Sequence, residues 1–329
     1  MGGGGYTHSE NVVFMSALSS AECVLREGRE PVRVLREIDL SIGKAQSWGV
    51  TARTAYEIRL LLEIMGNIRP YDGGKCVLLQ RGMMRQKRVI QPHIFYIGNT
   101  DMLYDNMNTL EFLMFATAHM REDRISLQEE LFEFLIDIGM GELSLSGIRW
   151  LSTEEKALVT LIAAAYSDSQ IILLNVPDTV FDERLRGALT KTAELITRRG
   201  KTLIIGTMDH ALIQAACSHT AFAADGRLIY QGTTERLRKE FDRAAVIVRD
   251  PNIDALKDKL ALILTDCVLQ EKEGALLIKA DGETGEPQHI YRKIAKAGIV
   301  PQDMRINEKT VDNAYEELVR QHDLPEQLF

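Results

Sequence analysis

The side chains able to do chemistry are few and scattered along this sequence. Four cysteines, Cys23, Cys76, Cys217 and Cys267, lie far apart, with no C-x-x-C pair and no histidine at metal-ligand spacing. They read as buried thiols of a reducing compartment rather than as ligands or a disulfide framework. Arg53 precedes a helical run and has two readings: a solvated surface arginine, or a phosphate contact aided by the helix N-terminus behind it. Ser152 is followed by Glu154 and Glu155, an N-cap with acids in the first turn, where the helix dipole favours negative charge. His210 opens another helical run and reads as a surface histidine. Asn175 ends an apolar strand, where its amide makes a structural hydrogen bond. No metal site emerges, and no catalytic group is assigned. The net charge of -8 argues against a nucleic-acid binder, since a phosphate backbone rewards clustered Lys and Arg, but it leaves room for local basic patches.

The elements that position these groups follow from periodicity. With 45% hydrophobic and 26% charged residues, 329 residues read as a globular chain with material for two domains. No apolar run approaches the ~18 residues of a membrane span. MGGGGYTHSE lacks the charged and apolar regions of a signal peptide, so residues 1–11 read as a flexible tail. Between 12 and 50, VVFMSAL, AECVLREG, VRVLREIDLSI and AQSWGV alternate apolar and polar positions and predict antiparallel strands. Ile58, Leu60, Leu61, Leu62, Ile64 and Met65 predict a helix from Ala55 to Met65 that stops at Gly66. NIRPYDGGK reads as a turn and CVLLQRG as a strand. Asn108 to Met140 predicts two helices around the break REDRIS, and Ser152–Tyr166 a third. Thereafter QIILLNV, KTLIIGT, TAFAADG and RLIYQG alternate with the helical runs ERLRGALTKTAELITRRG and HALIQAACS, which predicts a parallel sheet covered on both faces. From Ala244 the order is β-α-β-β-α-β with a last helix, a ferredoxin-like unit.

LSTEEKALVTLIAAAYSDSQIILLNVPDTVFDE and GKTLIIGTMDHALIQAACSHTAFAADGRLIYQGTTERL lie without a gap on a known pattern: a signature helix, a strand ending in an Asp-Glu-Pro triplet, an Asp-bearing loop and a strand ending in His. Over roughly residues 12–238 the chain thus resembles the ATP-binding subunit of ABC transporters, and residues 244–325 resemble the accessory domain of exporter-type members. The resemblance implies a P-loop NTPase-like ABC ATPase domain over 12–240, with a mixed sheet core, an antiparallel β subdomain and a helical subdomain at about 100–165. A small α+β ferredoxin-like domain follows it.

The resemblance also assigns positions, and most of them depart from the family. A phosphate loop G-x-x-x-x-G-K-[ST] closes backbone N–H groups, a Lys and a Mg²⁺-holding hydroxyl around phosphates. Its counterpart is GVTARTAYEIRLL from Gly49, with Glu57 at the lysine and Ile58 at the hydroxyl. A carboxylate there repels a phosphate by ~1–4 kcal/mol per contact at surface-like dielectric. Asn175 stands for the metal-binding Asp, Val176 for the general base, Met208 for the γ-phosphate-sensing His with His210 two residues on, and Asn99 for the coupling-loop Gln. Leu151 and Ser152 survive in the signature, whose glycines and Gln become Thr153, Glu154 and Glu155. Asp182 is retained, and no aromatic residue between Leu18 and Leu40 offers an adenine platform. Met102, Met107, Met114 and Met120 read as core filler or as a permease-docking surface.

With these departures the resemblance implies a subunit without hydrolysis, binding ATP and Mg²⁺ weakly or not at all. Its partners would be an ABC permease and/or a second ATPase subunit, in a homo- or heterodimer, with no nucleic acid, in the cytoplasm or peripheral to the inner face of the membrane. The alternatives are a non-transport scaffold on the same fold and a slowly hydrolysing ATPase.

Overall fold

The computed structural model describes residues 11–24, 31–98, 106–118, 123–240, 245–265, 267–272, 274–280, 287–307 and 310–323. The chain divides into two units, Met1–Thr234 and Glu235–Phe329, a boundary ten residues ahead of Ala244. The expected tail falls outside the described residues, except that Asn11 already begins a strand.

The first unit is built on a six-stranded sheet in the order Arg227–Thr233, His219–Ala224, Ser47–Ala52, Thr202–Gly206, Ile171–Asn175 and Ile94–Ile97. Five strands are parallel and Arg227–Thr233 returns antiparallel as the edge. Ile171–Asn175 and Thr202–Gly206 are buried along their whole length, as strands covered on both faces must be. Ser47–Ala52 departs from expectation: it lies in this parallel sheet rather than among antiparallel strands, and its continuous burial shows why. The helices Ala55–Met65, Thr153–Ala165, Glu183–Arg198 and His210–Ala216 connect these strands.

A second, antiparallel sheet pairs Ile38–Gly43, Asn11–Ser20, Tyr71–Leu78 and the short Arg81–Gly82. Tyr71–Lys75, expected as a turn, belongs to it. Gly74 at φ 79° faces a bulge at Ala17, and a Cβ there would sit 2.2 Å from the Ala17 carbonyl oxygen. Glycine therefore lets the strand pass where the sequence reads as a break. The helix Met83–Ile90 and the strand Ile94–Ile97 were not anticipated. Of the residues in REDRIS, Asp123 caps the helix Arg124–Asp137 and Arg124, Ile125 and Ser126 are inside it. The helix Thr109–Ala116 precedes that break.

The helix Thr234–Glu240 begins at the last residue of the first unit, and its remaining residues open the second. The second unit continues as Ala245–Arg249, helix Ile253–Ile263, Cys267–Lys272, Ala275–Ala280, helix Pro287–Lys296, Asp303–Asn307 and helix Val311–Asp323. Its antiparallel strand order, Cys267–Lys272, Ala275–Ala280, Ala245–Arg249, Asp303–Asn307, is the ferredoxin-like one. Val246, Val248, Leu276 and Ile278 pack with Leu256, Leu260, Ile290 and Ile294 as its core.

All four cysteines are free thiols. Burial pushes the Cys76 thiol up to about 12 and raises Cys217 further, while Cys23 is exposed. Because the thiolate is the reactive form, an aromatic disulfide reagent at mildly alkaline pH is expected to label Cys23 rapidly and Cys76 and Cys217 only after unfolding in urea. Rapid labelling of Cys217 in the native protein would contradict this packing.

Candidate functional site

The strand Ser47–Ala52 meets the helix Ala55–Met65 through only Arg53 and Thr54. Thr54 is extended and caps the helix. Its hydroxyl accepts from the Glu57 N–H at 3.3 Å, and Glu57 Oε2 accepts from the Thr54 N–H at 3.1 Å and from the Thr54 hydroxyl at 2.9 Å. Glu57 Oε1 accepts the Gly226 N–H at 2.7 Å from the turn that follows the adjoining strand His219–Ala224. The side chain is buried. A helix N-terminus is an anion receptor by virtue of its free N–H groups and its dipole. Here the chain's own carboxylate fills that receptor.

Gly226 reaches Glu57 because Asp225 and Gly226, both at positive φ, form the tight turn between His219–Ala224 and Arg227–Thr233. Arg36 fastens this turn by donating its side-chain N–H groups to the Asp225 carbonyl and its backbone N–H to the Gly226 carbonyl. Arg53 pairs with the Asp225 carboxylate at 3.2 Å. Its guanidinium is engaged by the turn rather than simply solvated. Ile58 is fully buried and lies where a Cβ on Gly206 would meet it at 2.8 Å, so it packs helix on sheet and offers no polar atom.

On the neighbouring strand end, Asn175 donates from Nδ2 to the Tyr96 hydroxyl at 2.7 Å and to the Arg59 carbonyl at 3.3 Å, its Oδ1 buried without a partner among the described residues. Burial raises the Tyr96 phenol above its ordinary value, which keeps it protonated. The amide is therefore used structurally, and an acid would press a carboxylate oxygen on the Arg59 carbonyl. Asn175→Asp is expected to cost about 2 kcal/mol in urea unfolding; parental stability in that variant would overturn this assignment.

Val176 is buried, with its N–H on the Gly206 carbonyl at 2.9 Å. Asp182 caps the helix Glu183–Arg198, accepting the Leu185 N–H at 2.7 Å. Asp209 accepts the Phe181 N–H at 3.2 Å and so ties the loop holding Val180 to the one holding Met208. Val180 is 77% and Met208 43% exposed, and Arg59 forms an ion pair with Asp178 on the same surface. His210 is only half-exposed; its Nε2 is 3.4 Å from the Thr51 hydroxyl and its ring tilts against Phe222. The surface-histidine reading gives way to one in which His210 packs on the strand Ser47–Ala52.

Arg53, Glu57, Ile58, Asn175, Val176, Asp182 and Met208 thus gather at the C-terminal ends of the parallel strands, where open α/β sheets bind ligands. Ser152 lies apart, and no hydrogen bond or ion pair of the described residues joins it to this cluster. It caps the helix Thr153–Ala165 in a second capping box: the Glu155 carboxylate accepts the Ser152 N–H at 2.9 Å while the Ser152 hydroxyl accepts the Glu155 N–H at 3.2 Å. Asn99, Met102 and Met120 lie outside the described residues.

Sequence reasoning missed Tyr96, Asp225 and Gly226. The spacings T-A-Y-E and S-T-E-E carry the capping-box signal, and Asp-Gly between two strands carries the turn signal. Nothing local announces that the turn bonds to Glu57.

No protein-family model matches the chain. Among curated proteins it is similar to the methionine import ATP-binding protein MetN of Wolinella succinogenes, 23% identical over 209 residues, spanning 62% of this chain and 69% of that protein. It is also similar to the daunorubicin resistance ATP-binding protein DrrA3 of Streptomyces coeruleorubidus, 21% identical over 291 residues, spanning 86% and 90%. Among solved structures, CbiO1 of Clostridium perfringens, part of the ABC transporter complex CbiONQ, superimposes with a TM-score of 0.56 at 15% identity over 78% of this chain and 96% of that one. An ATP-binding subunit of an ABC transporter gives 0.53 at 17% identity over 70% and 93%. The fold is that of ABC transporter ATP-binding subunits, and the curated relatives support the same family.

Proposed function

We infer that this chain, similar to ABC transporter ATP-binding proteins, is a catalytically degenerate counterpart of them. It acts through protein contacts with a membrane permease or an ATPase-competent partner instead of through ATP hydrolysis. Its relatives are ATP-binding proteins, so the missing turnover is where this chain departs from them.

The observation that carries the reading is the Glu57 carboxylate, buried and bonded to Thr54 and Gly226 at the helix end that would receive phosphates. A nucleotide would have to displace a carboxylate whose own hydrogen bonds are satisfied, and would meet its charge. Asn175 brings no charge to Mg²⁺, which prefers carboxylate and water oxygens. Val176 can neither take a proton nor position water. The exposed apolar residues Val180 and Met208, at strand ends where an enzyme would carry polar groups, suit protein contact instead. No helix of the described residues is long and apolar enough to cross a membrane, so attachment to one would run through the permease.

Titration calorimetry with ATP and Mg²⁺ tests this. No saturable heat is expected from the isolated chain, and Mg²⁺-dependent binding at micromolar concentration would overturn the reading. The second closed helix end, Ser152 with Glu155, supports an alternative in which the fold serves as a scaffold with no transporter at all. Co-expression with the permease of a neighbouring gene separates the two: co-purification at fixed stoichiometry favours the subunit, and its failure the scaffold.

A further inference from the structure

Among the described residues of the first unit, two surface elements carry exposed apolar side chains, and they complement each other. On the helix Arg124–Asp137, Leu127, Leu131 and Leu135 face the core. A flanking, solvent-facing side carries a second apolar stripe, Ile125, Phe132 and Ile136, at spacings of seven and four that stack them together. These residues are 73%, 41% and 55% exposed. Glu129 and Glu133 border the stripe, and neither forms an ion pair among the described residues. Their neighbours differ: Glu130 pairs with Arg199, and Asp137 with Lys191.

The short helical segment Met83–Ile90, kinked at Gln86 where φ is -121° and ψ is 26°, is the inverse. Met83 and Ile90 anchor it, while Met84 and Val89 are 71% and 48% exposed, among Arg85, Lys87 and Arg88. These three cations also form no ion pair among the described residues. In a chain of net charge -8 an unneutralised basic, apolar segment is out of keeping with the rest of the surface.

We propose that the helix Met83–Ile90 of one copy docks on the Ile125, Phe132, Ile136 face of a second copy of this chain, with Arg85 and Arg88 opposite Glu129 and Glu133. Apolar side chains on each element cover those on the other, and the flanking charges set the register. A face-to-face pairing of like elements would instead oppose acid to acid or base to base, so each contact joins unlike patches. Each copy then carries one donor and one acceptor patch, which closes as a pair or ring or continues as a chain. None of these residues belongs to the strand-end loops holding Val180 and Met208, and the proposal does not depend on nucleotide.

Sedimentation velocity on the full chain tests it, with two charge-reversed variants. The parent is expected to self-associate at roughly 100 µM, as suits a small contact, and to dissociate as salt rises. R85E/R88E and E129K/E133K are each expected to associate at least about tenfold more weakly. An equimolar mixture of the two variants is expected to regain association, because opposite charges then meet across every contact, the reversed helix on the reversed face and the native helix on the native face. All substituted side chains are exposed, so circular dichroism should report unchanged folding. A monomeric parent, variants that associate like the parent, or a mixture that stays apart would each overturn the proposal. So would flotation of a monomeric parent on phosphatidylglycerol vesicles that R85E/R88E abolishes, which would assign the basic segment to a lipid surface.

Discussion

Glu57→Lys is expected to yield a protein with no ATP turnover that unfolds about 3–5 kcal/mol more readily than the parent, the range for leaving a buried charged group without its partner. On the proposed reading the substitution restores the residue type of a phosphate loop, yet every local term opposes it. The ammonium cannot accept from the Thr54 or Gly226 N–H groups, it sits against the positive end of the helix dipole, and the turn it meets already holds the Arg53 cation through Asp225. At roughly 2–4 °C per kcal/mol for a domain of this size, the melting temperature should fall by about 10 °C. Glu57→Gln keeps the shape and one acceptor oxygen and should lose only about 1–2 kcal/mol. Turnover would still be absent in the lysine variant because Asn175, Val176 and Met208 remain. Measurable hydrolysis by this single variant would show that the defect has been misplaced, and parental stability would show that the carboxylate's bonds are incidental.

The second large effect belongs to the turn that meets Glu57. Gly226→Ala is expected to cost about 3 kcal/mol: a left-handed conformation costs an L residue ~1–2 kcal/mol, and the new Cβ would lie 2.2 Å from the Val34 carbonyl oxygen, which is backbone and cannot step aside cheaply. Displacing the turn also withdraws the Gly226 N–H from Glu57. In a double-mutant cycle Gly226→Ala and Glu57→Gln should therefore fall short of additivity by about 1 kcal/mol, as residues sharing one hydrogen bond do. Gly74→Ala supplies the control. It has the same positive φ and the same 2.2 Å approach to a carbonyl, that of Ala17, but no bond to Glu57, so it should add to Glu57→Gln without coupling. Equal additivity of both pairs would mean that the turn and the carboxylate do not depend on each other.

Residues 151–237 were readable because fully buried parallel strands and amphipathic helices leave unmistakable periods, as in Ile171–Asn175 and Glu183–Arg198. The identities at Glu57, Asn175, Val176 and Met208 were equally legible, since their chemistry needs no coordinates. What failed was local. Ser47–Ala52 is too short for periodicity to separate a two-sided strand from an alternating one. Met83–Ile90 buries only its first and last residues and so has no core-facing period. Tyr71–Lys75 hid behind two glycines that serve a bulge. At the site, sequence reasoning supplied a carboxylate opposed to phosphate but not its partners, because the Gly226 bond is non-local.

That bond spans 169 positions, and the distance has a bearing on how the chain is made. The central strand Ser47–Ala52 gains its neighbours only when Thr202–Gly206 and His219–Ala224 exist, and Glu57 gains its last donor later still. At ~5–20 residues per second of synthesis, roughly 10–30 s separate the emergence of the helix from that of the turn that completes it. During that interval the nascent first unit has an unpaired parallel strand at its heart. Its final closure is a late, post-assembly step, and truncation before Gly226 should leave a client for chaperones instead of a folded fragment.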